Sequence, residues 1–127
     1  MGDKIKGRIL FVANDVDSCE TLSTLLKIAG YQTTFALNIS ETFQYVRNQD
    51  FDLILLSLYR GEGTGMDLCR LIRAENDQIP IFFYTDISGA RESTKALEAG
   101  AQGYFIKPVD IGNLLQSLEN QGSPLQS

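Results

Sequence analysis

Several residues that can bind ions or react stand directly after short apolar runs of the chain. They are Asn14 and Asp15, then Ser57, then Thr85 and Asp86, and finally Lys107. The hydroxyls of Ser57 and Thr85 and the ammonium of Lys107 could bind a small anion. The carboxylates of Asp15 and Asp86 could instead bind a cation or pair with a buried lysine. Any of these sites requires a fold that brings the ends of the apolar runs together.

The amino-acid composition removes much ordinary enzyme chemistry. The 127 residues include no histidine, which excludes a Ser-His or Cys-His nucleophile pair, a His-ligated zinc and a phosphohistidine carrier. The two cysteines, Cys19 and Cys69, form no CxxC motif, so we predict two reduced and largely buried thiols in a cytoplasmic protein.

Charge and hydropathy argue against two further classes of protein. The formal net charge of -5 disfavours a nucleic-acid module, which usually carries a basic face. No apolar run approaches the roughly 20 residues of a membrane helix, and the N-terminal MGDKIKGRIL lacks the apolar core of a signal peptide. We therefore predict no nucleic-acid partner and no membrane partner.

The apolar runs have the length and composition of β-strands. Five are predicted: Arg8–Ala13, Tyr31–Ala36, Phe51–Leu58, Ile81–Thr85 and Tyr104–Ile106. The third run, FDLILLSL, is the most apolar stretch of the chain. A strand that is buried on both faces has this composition, so we expect it at the centre of a parallel sheet.

Segments with helical periodicity follow the strands. Apolar residues at helical spacing mark the inward faces of these segments. They are Leu22, Leu25, Leu26 and Ala29 in the first, Phe43 and Val46 in the second, Leu68, Leu71 and Ile72 in a helix 66–74, and Ile111, Leu114, Leu115 and Leu118 in the last. Residues 90–99 are predicted to form the fourth helix. Asp17-x-x-Glu20 and Asn38-x-x-Glu41 resemble N-terminal caps, and Gly30 and Gly100 stand where helices end. The RGEGTG segment, 60–65, is predicted to be a flexible loop.

Repeated strand–helix alternation predicts an α/β fold with a parallel sheet covered on both faces. Ligands of such sheets bind beyond the carboxyl ends of the strands, where the strand order reverses. We assign residues 1–121 to one domain and expect the polar tail, 122–127, to be frayed.

Three motifs resemble those of two-component response-regulator receiver domains from Arg8 to about Glu119. They are FDLILL with the loop to Gly65, PIFFYT ending in Thr85, and GAQGYFIKP from Gly100 to Pro108. The resemblance implies a flavodoxin-like three-layer sandwich, doubly wound around a five-stranded parallel sheet of order 2-1-3-4-5.

The resemblance also assigns roles to positions. In receivers, two acidic residues after the first strand bind Mg²⁺, and an aspartate after the third strand accepts a phosphoryl group from a histidine kinase. Here the acidic pair falls on Ala13 and Asn14, and the phosphoacceptor position on Ser57. The switch and phosphate-side positions match the family at Thr85, Tyr104 and Lys107. Gly61 and Thr64 depart from the family's usual proline and aspartate.

These replacements predict a degenerate receiver, or pseudo-receiver. Ala13 offers no side-chain oxygen and the others offer only neutral ones, so we expect Mg²⁺ binding to be lost and no cofactor to replace it. Ser57 is a poor acceptor without a general base, and we expect it to be a small hydrogen-bonded residue at the strand end. Lys107 is expected to bond backbone carbonyls or a carboxylate, for which Asp15 and Asp86 are the candidates.

The resulting function is not catalytic. We predict a cytoplasmic signalling domain that binds protein partners independently of phosphorylation, through the face of the fourth helix, fifth strand and fifth helix. That face includes Arg91, Lys95, Glu98, Tyr104 and the helix from Ile111, and it could form a homodimer. Two alternatives stay open: an active receiver with an unorthodox acceptor or metal site around Ser57, Asp15 and Asp86, and a flavodoxin-like module for a small anion or nucleotide.

Overall fold

A computed structural model describes residues 6–13, 20–57, 64–85, 89–107 and 110–121. Strands and helices alternate along this part of the chain. The strands are β1 (Gly7–Ala13), β2 (Tyr31–Ala36), β3 (Leu53–Ser57), β4 (Ile81–Thr85) and β5 (Gly103–Ile106). The helices are α1 (Glu20–Ile28), α2 (Ile39–Asn48), α3 (Thr64–Glu75), α4 (Ala90–Glu98) and α5 (Ile111–Gln121).

The strands form one parallel sheet in the order β2-β1-β3-β4-β5, which confirms the predicted topology. The central position of β3 is also confirmed, because all of its residues from Leu53 to Ser57 are buried. The strand order reverses between β1 and β3, since β1 has β2 on its other side. This is the place where doubly wound sheets bind ligands.

Helices cover both faces of the sheet and make two separate cores. On one face, Leu22 of α1 and Leu114 of α5 pack with odd-numbered residues of β1 and β3. On the other face, Leu68 of α3 and Ala96 of α4 pack with even-numbered residues of the same strands, and Phe43 of α2 lies at the margin. The alternation follows from the two-residue period of a strand, and it gives the three layers that were predicted.

The signals at helix ends act as predicted where the structure describes them. The Asn38 side chain accepts a hydrogen bond of 2.8 Å from the Glu41 amide, and the Glu41 carboxylate accepts one of 2.9 Å from the Leu37 amide. Gly30 and Gly100 have φ angles of 105° and 115°, a conformation that a side chain disfavours. The proposed cap at Asp17 and most of the 60–65 loop lie outside the described residues.

Two predictions about β3 and α3 were wrong. Strand β3 begins at Leu53 rather than Phe51, because the Asp52 carboxylate accepts a hydrogen bond from the Arg8 amide just before the strand. Leu71 was expected to face inward but is 50% exposed. Cys69 takes its place in the core, with its thiol donating to the Ala99 carbonyl at 3.4 Å. The side of α3 that faces the core therefore consists of Leu68, Cys69 and Ile72, and Leu71 faces outward.

Candidate functional site at the carboxyl ends of the strands

The fold brings four of the singled-out positions to one edge of the sheet. Ala13 and Ser57 are the last residues of β1 and β3 and lie opposite each other in the strand register. Thr85 ends β4, and its carbonyl accepts a hydrogen bond of 2.7 Å from the Lys107 amide just beyond β5. The parallel direction of the strands makes this grouping unavoidable, because all carboxyl ends meet at the same edge.

Ser57 is buried, and its hydroxyl has no hydrogen-bond partner among the described residues. The residue is 4% exposed, and within the described part of the chain its Oγ is the one buried side-chain polar atom that has no partner. The expectation of a hydrogen-bonded serine was therefore wrong. The neighbouring β1 position is the apolar and fully buried Ala13, whose side chain offers the hydroxyl no partner.

The Lys107 ammonium lies over an aromatic ring. Its Nζ lies 5.7 Å from the centroid of the Tyr84 ring, a distance at which a cation is attracted to the face of an aromatic ring. Among the residues that the structure describes, no carboxylate forms an ion pair with Lys107. The candidate partners Asp15 and Asp86 lie outside the described residues, as do Asn14 and Pro108.

Tyr104 is half-buried on β5 and packs beside Phe83 of β4, with their ring centroids 5.9 Å apart. The neighbouring helix α4 presents exposed charged residues, Arg91, Lys95 and Glu98. It also exposes Leu97, at 53%. These side chains lie on α4 and β5, two of the three elements of the predicted face, and they combine charged, aromatic and apolar groups.

Sequence reasoning missed two residues near this edge. The sequence marks Tyr84 only as part of a buried strand, although the Lys107 ammonium lies over its ring. Asp110 was not singled out, yet its carboxylate accepts a hydrogen bond of 2.9 Å from the Ile106 amide and so ties the residue before α5 to the end of β5. An aspartate directly before the helical run from Ile111 is a recognisable cap signal, whereas nothing in the sequence marks Tyr84.

The described residues around this edge do not resemble a metal site. No group of three or more His, Cys, Asp or Glu side chains within the described ranges could hold a metal ion. Ala13 contributes a methyl group and Ser57 a neutral hydroxyl, where Mg²⁺ would require several oxygen ligands, mostly carboxylates.

Comparison with known proteins decides the family. Residues 9–119 match the model of the response regulator receiver domain. The chain belongs to this family. Receiver domains are signalling modules that interact with proteins such as kinases, and they are generally not enzymes.

Individual receiver-containing proteins are similar over most of the chain. The transcriptional regulatory protein ZraR of Escherichia coli (strain K12) is 36% identical over 111 residues, which are 87% of this chain and 25% of ZraR. The response regulator protein PilR of Pseudomonas aeruginosa is 31% identical over 84% of the chain and 24% of its own length. This receiver chain thus spans about a quarter of the length of these curated relatives.

Solved receiver structures have the same fold. The non-phosphorylated HemR receiver domain of Leptospira biflexa is 34% identical, with a TM-score of 0.77, over 91% of this chain and 94% of that one. A two-component response regulator of Clostridium difficile is 29% identical, with a TM-score of 0.81, over 94% and 98%. Within the described residues, no helix of this receiver is long and apolar enough to cross a membrane.

Proposed function

We propose that this receiver is degenerate and acts in signal transduction by phosphorylation-independent protein–protein interaction. The observation that carries the proposal is the pairing of Ala13 with Ser57 at the ends of β1 and β3, where both residues are buried. In the family these two strand ends supply an acidic ligand and the phosphoacceptor. This chain has neither carboxylate there.

Loss of Mg²⁺ is the first consequence that we propose. Mg²⁺ gives up its hydration water reluctantly and is usually held through carboxylates. A methyl group and a neutral hydroxyl do not compensate for that dehydration, and Asn14 adds only a neutral amide. Phosphoryl transfer depends on a metal to neutralise charge that develops on the phosphoryl oxygens, so the transfer step loses its main support.

Loss of the acceptor is the second consequence. The Ser57 hydroxyl must lose a proton to attack phosphorus, and the chain has no histidine to take it. Lys107, which follows β5 at the same edge of the sheet, is itself a cation and cannot take that proton. A phosphoserine would also hydrolyse far more slowly than an acyl phosphate, so a reversible signal would not result.

Signalling must then depend on the shape of a surface. We propose the face of α4, β5 and α5 as the surface that binds a protein partner, with a second copy of the chain as the alternative occupant. Tyr104, held against Phe83, and the exposed Leu97 provide contact area, and Arg91 and Glu98 provide charge. The proposed location is the cytoplasm. Output would come through the partner or through a further part of a longer protein.

The switch is tested by an amide NMR titration of the purified chain with Mg²⁺ and then with Mg²⁺ and beryllofluoride, a mimic of the acyl phosphate. We expect no shifts at Ser57, Thr85 or Lys107. The matched control is an Ala13→Asp/Asn14→Asp/Ser57→Asp variant, in which the same additions should produce shifts. Shifts in the unmodified chain at low millimolar Mg²⁺ would contradict the proposal and favour an active receiver with an unorthodox metal site.

The surface is tested by sedimentation at several protein concentrations. If the second copy is the occupant, Leu97→Asp should weaken association at least tenfold. Leu71→Asp on α3 is the matched control, because Leu71 is similarly exposed, at 50% against 53%, but lies on a helix outside the proposed face. A chain that is monomeric at every concentration would eliminate the homodimer and leave a different protein as the partner.

A further inference from the structure

Strand β2 forms an edge of the sheet that carries none of the usual protection against pairing. Among the described strands it pairs with β1 alone. Natural sheets protect such an edge with charged side chains, proline or a bulge. The sequence of β2, YQTTFA, has no charge and no proline, and its register with β1 is unbroken from Tyr31 to Ala36. The outer side of β2 is therefore suited to pairing with another strand.

Exposed apolar side chains lie at both ends of β2. Five large apolar residues of the described chain are exposed, and three of them flank this strand. Ile28, which ends α1 just before β2, is 76% exposed, and Leu37 and Ile39 after β2 are 45% and 43% exposed. Single exposed apolar residues are ordinary, whereas a group of them marks an interaction surface.

Helix α1 lies beside this edge and carries opposite charges at its two ends. Leu26 of α1 shares a core with Tyr31 of β2, so the helix covers one face of the edge strand. Glu20 lies in the first turn of α1 and Lys27 in the last, and both are exposed. A second α1 that runs in the opposite direction would meet this pattern with the complementary charge at each end.

We propose that two copies of this chain associate through antiparallel pairing of their β2 strands, which joins two five-stranded sheets into one. A two-fold axis perpendicular to the sheet relates the copies. Because side chains alternate between the faces of a strand, this symmetry places one residue opposite its own copy. The central residues of β2 are Thr33 and Thr34, and threonine pairs across strands are favourable.

The same symmetry identifies a second copy as the occupant of the edge. It brings the start of each β2 to the end of the other, so Ile28 of one copy and Leu37 of the other lie at the same end of the strand pair. It also sets the two α1 helices antiparallel on one face, with Glu20 of each near Lys27 of the other. An unrelated extended peptide would bond the backbone but would match neither feature.

This dimer goes beyond the proposed function and does not depend on it. Strands β2 and β5 are the opposite edges of the sheet. Pairing through β2 therefore leaves the face of α4, β5 and α5 available to a different protein.

The test combines sedimentation of the full chain at several concentrations with an amide NMR dilution series. We expect a monomer–dimer equilibrium, with shifts that depend on concentration at Ile28 and from Gln32 to Leu37. Thr34→Lys sets two ammonium groups opposite each other or one diagonal step apart, so it should raise the dimer Kd about tenfold or more. Thr94→Lys adds the same charge at an exposed threonine of α4, next to the opposite edge, and should leave the Kd unchanged.

A charge exchange on α1 tests the orientation of the copies without altering β2. At low ionic strength, Lys27→Glu should raise the dimer Kd about threefold or more, because it brings acidic groups together at both ends of α1. Glu20→Lys/Lys27→Glu should restore most of the affinity, because each end again meets the opposite charge. Circular dichroism checks that all variants remain folded.

Three results would overturn the inference. The first is a chain that stays monomeric at every concentration. The second is a dimer whose shifts centre on Leu97 and Tyr104 and whose Kd does not change in Thr34→Lys. The third is a Kd that the double exchange raises as much as Lys27→Glu does. None of these results bears on the titration with Mg²⁺ and beryllofluoride, so this inference and the proposed function can fail separately.

Discussion

Ser57 shows how a single replacement changes the balance of forces at a buried site. An aspartate at this strand end would be a buried anion that requires a cation and hydrogen-bond donors. Serine removes that requirement but leaves a hydroxyl with no partner in the described structure. The position is therefore a small energetic defect in an otherwise apolar strand, since the other residues of β3 are leucine and isoleucine.

Removing the Ser57 hydroxyl should consequently not destabilise the folded chain. We expect Ser57→Ala to leave the free energy of unfolding unchanged or to raise it by up to about 1 kcal/mol, because an unsatisfied donor is lost. Thr42→Val is the comparison, since Thr42 is also buried but donates to the Asn38 carbonyl at 2.8 Å; it should lose about 1 kcal/mol. Urea denaturation measures both, and a loss for Ser57→Ala similar to that of Thr42→Val would show that the hydroxyl is paired.

The sequence predicts which residues reach this edge but not how they pair. Strand ends follow from apolar runs and turn residues, so the sequence alone places Ser57, Thr85 and Lys107 at one edge of the sheet. The partner of Lys107 could not be predicted, because a lysine stem reaches several ångströms in any direction. A ring on β4 and a carboxylate in a loop are equally compatible with the same sequence.

At the scale of elements, β5 depends on close packing at its first residue. A Cβ at Gly103 would lie 2.7 Å from the Phe105 ring and 3.0 Å from the Phe82 ring, and these two rings already pack at 5.2 Å between centroids. Phe82 is buried in the core under α1 and α5, and the partly buried Phe105 packs against that core, so neither ring can move away without disturbing it. Glycine at position 103 is thus a requirement of packing rather than of backbone conformation.

We therefore expect Gly103→Ala to lower the free energy of unfolding by about 1–3 kcal/mol, as overpacking does. Gly112→Ala on α5 is the matched control, because a Cβ there meets nothing within 4 Å. It should raise stability by a few tenths to about 1 kcal/mol, since alanine restricts the unfolded chain and favours helix. Thermal unfolding of both variants checks the pair, and equal effects would contradict the packing argument.

The elements themselves were predictable because their signals are local. Alternating apolar runs, an Asn38 cap and two glycines at helix ends gave all the strands and helices of the described chain in the correct order. Boundaries were harder, since they depend on long-range contacts such as the bond from the Arg8 amide to Asp52. The orientation of α3 was missed because Cys69 and Leu71 are both apolar and both lie close to Leu68 in sequence. In the structure Leu68 and Cys69 are buried, the Cys69 thiol bonds the Ala99 carbonyl, and Leu71 is exposed.

Across the whole molecule, the first and last described segments meet at one carboxylate. Glu119 of α5 accepts a bond of 2.9 Å from Lys6 before β1 and one of 3.3 Å from the Tyr31 hydroxyl at the start of β2. The hydrogen bond from Lys6 is the main cause of the lowered pKa of Glu119. Burial, followed by the charge of Glu119, raises the pKa of Tyr31 from 10.0 to about 12.

This arrangement predicts a loss of stability in alkali. The folded chain favours the neutral phenol, so the contribution of Tyr31 is complete below pH 10 and disappears as the pH rises towards 12. Tyr31→Phe should reduce the difference in urea midpoint between pH 9 and pH 11.5. In a phenolate absorbance titration, Tyr31→Phe should also remove a titration step with a pKa of about 12. Tyr45→Phe is the control, because Tyr45 packs on the opposite face of the sheet, and this variant should retain that step. A component that persists in Tyr31→Phe would refute the assignment.

The clearest prediction for the whole receiver concerns its dependence on Mg²⁺. In Ala13→Asp/Asn14→Asp/Ser57→Asp, two of the carboxylates occupy positions that are 0% and 4% exposed, and Lys107 is the one described cation at that edge. We expect this variant to be less stable than the natural chain in EDTA, because buried like charges repel and are poorly solvated. Mg²⁺ at about a hundred times its Kd should then raise the free energy of unfolding by about 2.7 kcal/mol.

The neutral variant Ala13→Asn/Ser57→Asn controls for added volume, because it enlarges the same two side chains without charge. It should be less stable than the natural chain in EDTA. Neither this variant nor the natural chain should gain stability from Mg²⁺. Urea denaturation with and without Mg²⁺ measures all three proteins. If the natural chain gained as much from Mg²⁺ as the acidic variant, residues beyond these strand ends would have to supply the ligands, and the degenerate interpretation of Ala13 and Ser57 would fail. If only the acidic variant responds, the missing carboxylates alone account for the loss of Mg²⁺ binding.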